Sequence, residues 1–492
     1  MILSTNAIMS KKTTIIFIIV VILFSFILRV WQLNKPSLWI DEGFTINASL
    51  TIIEKGVPVL DSGLPYKNGV FYNYLVAGLM KIKDFDPFSP WQARLPSVFF
   101  GVLSVLVVYF LSKHLFNKNV GLVSSVIMAF SYWEIAWSRQ ARGYVALQFF
   151  LLLSFYFLWK WLEKKDFKFL VFFFLSLFFS FLSHHLAVVF IPGFILIALL
   201  FPKKRISFRQ WIFFFSIFAI SLFLFRYMAS IPKIDFYNYF PHYNRFIKNE
   251  LWIFFLGTLG GLFLGIFDKK KYATVSLFLI TISSYFFIAG FINVIHYRYL
   301  FPLFPFVIIL SCYFVVRFFQ IIQNILRIKN PLFSFIPSIV LIIFLSFPHL
   351  NFIPKENYLL EYGSPQPNFK EAYLFIKENR KTDDMIISPY THLSKIYLND
   401  EGFWLPTSLS GRKEEIEGRT INGRDYYTNA PIVSNDKELL EIINSKSGYI
   451  IIDQMAKNRI NKTVILINSH EKVEIIYKSE APKMGNIWVY KF

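Results

Sequence analysis

Long apolar runs recur through the first 350 residues, each ended by a short polar connection. A helix needs about 20 mainly apolar residues to cross a bilayer. On that measure the pattern predicts eleven transmembrane helices, over 13–30, 94–112, 120–137, 144–162, 168–184, 186–201, 210–228, 251–267, 272–293, 299–317 and 331–350. Every second connection is basic: Lys11-Lys12, then 113–118, 160–168, 203–209, 269–271 and 317–329. These six clusters hold 18 of the 32 Lys and Arg residues before position 351. Basic connections stay in the cytoplasm, so the N-terminus is expected inside and, after an odd number of spans, the C-terminal residues outside. The first run has the basic start and apolar stretch of a signal peptide. Arg29-Val30-Trp31-Gln32 follows it with no small-residue cleavage site, so it reads as an uncleaved span.

Three outward segments exceed simple turns: 31–93, 229–250, and 351 to the end. In the first, Phe44, Ile46, Ala48, Leu50, Ile52 and Ile53 predict a short helix lying on the membrane surface. The second gathers Tyr237, Tyr239, Phe240, His242, Tyr243 and Arg245, which suits lipid headgroups or an interfacial aromatic belt. Residues 351–492 lose the long apolar runs and read as a soluble, extracytoplasmic mixed α/β domain. Helical spacing covers 369–379, short buried-strand runs cover 385–387 and 449–452, and 472–492 suggests a hairpin. No Gly-rich phosphate loop follows those strands, which leaves a scaffold or acceptor-docking role. The division expected is 1–350 for the membrane domain, with external loop 31–93, and 351–492 for the external one.

Composition agrees. Of 492 residues, 55% are hydrophobic, 20% aromatic and 17% charged, with a mean hydropathy of +0.48, which excludes an ordinary cytosolic enzyme. The net charge of +20 does not mark a nucleic-acid binder. Residues 351–492 balance 19 basic against 19 acidic side chains, and the excess lies in the short clusters between spans. A basic stripe with a base-reading motif is absent, so no nucleic-acid partner is expected. The single cysteine, Cys312, excludes a disulfide scaffold and Cys-based metal centres.

Carboxylates are costly near lipid, so Asp41-Glu42, about ten residues beyond the first span, stand out. Such a carboxylate serves as general base for an acceptor hydroxyl or amine, ligates a divalent ion, or caps a helix N-terminus. Outward cations are Lys67, Arg139, Arg142 and Arg298. A lone Arg there snorkels to headgroups; several converging bind a phosphate bidentately. His184 and His185 are adjacent, so on a helix they point about 100° apart. They make a poor two-ligand metal site and read better as cavity lining. The apolar bulk accepts a lipid tail and the charged rim handles a headgroup, as an enzyme on a lipid-phosphate substrate requires. The rival is a multispan lipid or solute transporter or flippase, which places ionisable groups at mid-membrane on broken, repeated helices. A polymer ligase on another lipid carrier is a second rival.

Arg94-Leu95-Pro96-Ser97 to Gly101, Val108-Tyr109, Gly121-Leu122 and Ser138-Arg139 to Tyr144 together resemble the second-to-fourth-span region of the C-type integral-membrane glycosyltransferases. That superfamily includes dolichyl-phosphate-mannose protein mannosyltransferases and lipid A aminoarabinose transferases. Asp41-Glu42 falls at its acidic motif in the first external loop, and Tyr297-Arg298-Tyr299-Leu300 to Pro305 matches a late motif. The resemblance implies transfer of a sugar from a polyprenyl-phosphate donor to an extracytoplasmic acceptor (a cell-envelope glycan, a lipid or a protein), with inversion. Asp41 would be the base and Glu42 its support. Lys67, Arg139, Arg142 and Arg298 would serve the donor phosphate, with a bacterial cell membrane as the setting. Two departures are visible. Tyr66-Lys67-Asn68-Gly69 stands where aminoarabinose transferases carry Glu-Lys-Pro-Pro, keeping the lysine without its acidic neighbour. Tyr144 stands where many members carry an Asp, which makes Glu134 the candidate second carboxylate. Use of a divalent cation (Mg2+, Mn2+ or Zn2+) is left open.

Overall fold

The computed structural model describes residues 10–200, 235–268, 270–330, 332–347, 350, 367–407, 418–479 and 485–492, with isolated positions 212, 215, 216 and 219. They gather into two compact units. The first comprises Met1–Trp31, Ser97–Arg139 and Gly143–Pro354, and the second Gln32–Pro96, Gln140–Arg142 and Lys355–Phe492.

The first unit is helical. Polar caps start its helices where the apolar runs begin: Ser10 accepts from Thr13 N at 3.0 Å, Asn117 from Val120 N at 3.1 Å, and Asp166 from Lys168 N at 3.1 Å. Each such bond satisfies an N–H that the helix itself leaves open. Five helices are long and apolar enough to cross a membrane: Lys11–Val30, Trp91–Leu115, Tyr144–Lys164, Lys271–Phe291 and Tyr297–Ile325. Phe240–Glu250 and Trp252–Ile266 form a sixth candidate, bent by 95°. The outward Phe99, Phe263 and Phe344 are largely exposed, which a hydrocarbon surrounding accommodates. This is a multi-pass membrane protein.

The count of eleven is not reached among the described residues. Lys118–Phe130, Phe167–Ser183, His185–Leu200 and Leu332–Ser346 are apolar but shorter. At 17 residues, Phe167–Ser183 measures roughly 26 Å, short of the roughly 30 Å hydrocarbon layer. The expected span 120–137 is interrupted at Ser131, which has extended backbone between Lys118–Phe130 and Tyr132–Trp137. Hydropathy averages across such a break because it does not register the backbone. The expected span 210–228 lies outside the described residues, apart from the four isolated positions. Packing in this unit relies on small residues: a Cβ on Gly261 would lie 2.5 Å from the Leu310 carbonyl oxygen, and one on Gly257 2.7 Å from the Ser311 side chain.

The second unit combines two helices of the first outward segment, Ile40–Lys55 and Val70–Ile82, with a sheet from the C-terminal residues. The strands are β1 (Met385–Ser388), β2 (Phe403–Trp404), β3 (Thr420–Ile421), β4 (Arg424–Asp425), β5 (Gly448–Asp453), β6 (Glu474–Lys478) and β7 (Ile487–Lys491). Five form one sheet in the order β2-β1-β5-β7-β6, while β3 and β4 pair separately. Strand β5 is parallel to β1 and antiparallel to β7, and β6 and β7 make the terminal hairpin. Strand β5 is buried along its whole length, as its unbroken Tyr449-Ile450-Ile451-Ile452 run requires. Helix Phe369–Asn379 forms where its spacing predicts.

Helix Ile40–Lys55 differs from its expectation. It begins earlier, ends at Gly56 with φ 78°, and buries Ile46, Ala48 and Ile52 in its own unit. Apolar spacing fits a membrane surface and a protein interior equally well; here the protein covers Ile46, Ala48 and Ile52 and leaves Ile53 exposed.

Candidate active site

Asp41 and Glu42 occupy the first turn of helix Ile40–Lys55, after Trp39 at the N-cap position. Negative charge is favoured there by the helix dipole. Their surroundings differ sharply. Glu42 is fully buried, and its two carboxylate oxygens accept from Arg94 Nε at 2.9 Å, Arg94 Nη2 at 2.8 Å, the Trp39 amide at 2.9 Å and the Ala141 amide at 2.7 Å. Four donors fill the acceptor capacity of a carboxylate. Arg94, also buried, directs its remaining N–H groups to the carbonyls of Leu33 at 2.8 Å, Pro36 at 3.0 Å and Ser37 at 2.9 Å. All five guanidinium donors are thereby used, and the loop leading into the acidic helix is wrapped around them.

Asp41 keeps its carboxylate partly exposed, 22% for the side chain, with Arg142 Nη2 at 3.8 Å. Arg142 is held by three further bonds from Nη1: to the Asp41 carbonyl at 3.0 Å, Thr45 Oγ1 at 3.2 Å and Tyr66 Oη at 3.5 Å. Lys67, half-buried, follows Tyr66 in the same unit. The second unit thus contains four of the expected residues, Asp41, Glu42, Lys67 and Arg142, with Asp41 and Arg142 in direct contact. Its acidic turn is also held by helix Thr391–Leu398, where His392 donates from Nε2 to the Ile40 carbonyl at 2.9 Å and Tyr397 Oη accepts from the Leu38 amide at 3.1 Å. Burial, then the Arg419 charge, pushes His392 down to about 4 from its ordinary 6.5, against the opposing pull of the Ile40 carbonyl, Asp425 and Asp41.

The other expected residues lie in the first unit. Arg139 turns Nη1 to the last carbonyls of helix Lys11–Val30 and just beyond, Leu28 at 3.3 Å, Arg29 at 3.1 Å and Trp31, which satisfies acceptors that a helix end leaves open. Glu134 is buried, accepts from Gln148 Nε2 at 2.9 Å, and its second oxygen has no hydrogen-bond partner among the described residues. Tyr144 packs on His184 with ring centroids 4.4 Å apart, and the Arg298 guanidinium lies 6.0 Å from the Tyr144 ring. His184 Nδ1 accepts from the Leu186 amide at 3.1 Å, and its ring stacks on His185 at 4.5 Å. That geometry suits lining and not a two-histidine ligand set. Among the described residues, no three His, Cys, Asp or Glu side chains gather as a metal ion would need.

Two residues that shape the acidic turn were given no role by sequence reasoning. Arg94 had a legible signal, because an ionisable side chain at the start of an apolar run is functional or paired by default. The same signal marks Arg29, buried, which donates from Nη1 to Ser25 Oγ at 2.6 Å and to the Ala129 carbonyl at 3.0 Å. His392 had none, being a lone histidine 350 positions from the turn it touches.

Comparison with known proteins bears on this geometry. The fold matches ArnT from Cupriavidus metallidurans bound to undecaprenyl phosphate, with a TM-score of 0.61, 11% identity and 98% of each chain covered. It also matches the Archaeoglobus fulgidus oligosaccharyltransferase tethered with an acceptor peptide containing the NVT sequon, with a TM-score of 0.60, 10% identity, and 97% of this chain and 74% of that one covered. The chain thus has the fold of the C-type integral-membrane glycosyltransferases, as its motifs indicated. Within it, residues 67–228 match the dolichyl-phosphate-mannose-protein mannosyltransferase family. Among curated proteins, none matches the sequence.

Proposed function

We propose that this chain is a membrane glycosyltransferase that moves a sugar from a polyprenyl-phosphate donor to an extracytoplasmic acceptor, with inversion at the anomeric carbon. The observation that carries the reading is the division of labour at the acidic turn. Glu42 is saturated by Arg94 and backbone amides, while Asp41 keeps a partly exposed carboxylate beside Arg142. In this reading the acceptor oxygen or nitrogen attacks the anomeric carbon and Asp41 takes its proton. The bond from that carbon to the phosphate oxygen breaks, and the electron pair leaves with the polyprenyl phosphate. Lys67, in the unit that carries Asp41, stabilises that leaving charge, the electrostatic term that usually dominates, and Arg298 is retained as a candidate for the donor phosphate. Arg142 positions Asp41, and Glu42 supports the turn. Arg139 secures the end of the first helix, and Tyr144, His184 and His185 line the donor side. Glu134 is retained as a candidate second carboxylate.

The family match over residues 67–228 and the fold of the two transferases support this reading. ArnT bound to undecaprenyl phosphate supports a polyprenyl-phosphate ligand, and the peptide-tethered oligosaccharyltransferase supports an acceptor at the same type of fold. The transporter reading finds no support in these matches. Residues 351–492 are proposed to form an extracytoplasmic α/β domain.

The test is transfer from a panel of radiolabelled polyprenyl-phosphate sugars to a membrane extract, by full-length protein in liposomes. Asp41→Asn is expected to lower kcat by about 10²- to 10⁴-fold, the range for a lost general base, with the thermal midpoint unchanged. Equal rates in both proteins would remove Asp41 as base. Donor-independent flipping or uptake by the wild type, without transfer, would overturn the transferase.

A further inference from the structure

Helix Thr391–Leu398 belongs to the C-terminal sheet region, yet its side chains close on the first turn of helix Ile40–Lys55. His392 is 1% exposed. Its Nε2–H donates to the Ile40 carbonyl at 2.9 Å, and its ring stacks on Phe44 with centroids 4.0 Å apart and planes 21° apart. The imidazole therefore touches the residue before Asp41 and the residue three beyond it. Between them the backbone passes so close that a Cβ on Gly43 would lie 2.6 Å from His392 Cδ2. On the same helix Tyr397 Oη accepts from the Leu38 amide at 3.1 Å, and Lys395 pairs with Asp61. Phe44 also packs on Tyr427, with centroids 4.5 Å apart.

We infer that His392 is a positioning residue for Asp41: a buried imidazole that fixes the backbone of the acidic turn from the C-terminal region. This inference rests on the reading of Asp41 as the base. A neutral ring suits the task. Its single proton on Nε2 makes the Ile40 bond, and burial with the nearby Arg419 disfavours a second proton on Nδ1. The role assigned to the C-terminal region is alignment of the base. The acidic turn is also held by Arg94, by the Ala141 amide on Glu42 and by Arg142 on the Asp41 carbonyl, and His392 adds the fastening at the Ile40 carbonyl, the residue just before the exposed carboxylate. A misplacement of about 1 Å costs on the order of 100-fold in rate.

The test compares wild type, His392→Ala, His392→Gln, His392→Asn and Asp41→Asn as full-length protein in lipid nanodiscs. Two readouts are used: steady-state transfer and hydrogen exchange of the amides over 40–46. Glutamine carries its amide nitrogen where imidazole carries Nε2, whereas asparagine reaches only to the Nδ1 position. His392→Ala and His392→Asn are expected to lower kcat between about 10- and 100-fold, with donor KM within twofold, and to speed exchange over 40–46. His392→Gln should restore both to within about threefold of wild type. If the alanine variant does not fold, the Gln–Asn contrast decides alone. Unchanged exchange and rate in His392→Asn, beside an inactive Asp41→Asn, overturns the positioning role and leaves the base intact. An active Asp41→Asn removes the base instead, and exchange over 40–46 then decides whether His392 orders the turn.

Discussion

Asp41 and Glu42 are neighbours with nearly the same chemistry and opposite circumstances. Glu42 lies fully enclosed against Arg94, and Asp41 reaches the solvent edge beside Arg142. Removing one partner of a buried ion pair leaves an uncompensated charge and costs about 3–5 kcal/mol. Glu42→Gln and Arg94→Lys are therefore expected to lower the thermal midpoint in detergent and the yield of folded protein. Lysine fails for a geometric reason, since three donors on one nitrogen do not replace a five-donor planar fork. Asp41→Asn, in contrast, should leave the midpoint in place and remove activity. If Glu42→Gln unfolds at the wild-type temperature, the pair does not anchor the turn. The acidic dipeptide is conspicuous in the sequence, but that Glu42 is the enclosed one is settled by Arg94, 52 positions further on.

At the scale of elements, close helix approach in the first unit depends on positions with no side chain. Gly257, Gly261 and Gly265 recur every fourth residue on Trp252–Ile266, where small residues let helix backbones meet within the bilayer. Gly261 faces backbone, with the Leu310 carbonyl oxygen 2.5 Å from a would-be Cβ, so no rotamer change relieves the clash. Gly261→Ala is expected to destabilise by about 1–3 kcal/mol, the cost of overpacking, seen as a lower midpoint in detergent. Gly78→Ala is the control: it lies on helix Val70–Ile82 with nothing within 4 Å of the added methyl. By helix propensity it should gain up to about 1 kcal/mol. Equal midpoints for the two variants would show that the glycine stripe does not set the packing. Helix existence was mostly legible from apolar runs, and helix ends were not. The break at Ser131 is a backbone event between Phe130 and Tyr132, and averaging over a window erases it, whereas the polar His184-His185 pair marked the break between the expected spans 168–184 and 186–201.

For the whole molecule, the charge alternation carries a topology that labelling can test. With Cys312 replaced by Ser, Lys472→Cys is expected to react with an impermeant maleimide on intact cells. Lys12→Cys should react only after the cells are opened. The reverse pattern would invert the protein in the membrane. Both positions are exposed, so access and not burial decides the labelling.

The sequence by itself determined that the chain enters a membrane, because composition and run length depend on residue type alone. It also supplied the transferase resemblance, since the motifs Arg94 to Gly101, Ser138 to Tyr144 and Tyr297 to Pro305 are local and ordered. It placed helix Phe369–Asn379 and strand β5 for the same reason: their periodicity is written in neighbouring residues. The tertiary structure alone decided what depends on distant partners. It showed Glu42 as an anchor, Arg139 as a cap on the end of the first helix, and Phe44 packed on His392 and Tyr427. A helical face reports that it is apolar, and only the packed chain reports what covers it. Likewise a carboxylate reports its charge, and its freedom to take a proton is set by donors that arrive from elsewhere in the fold.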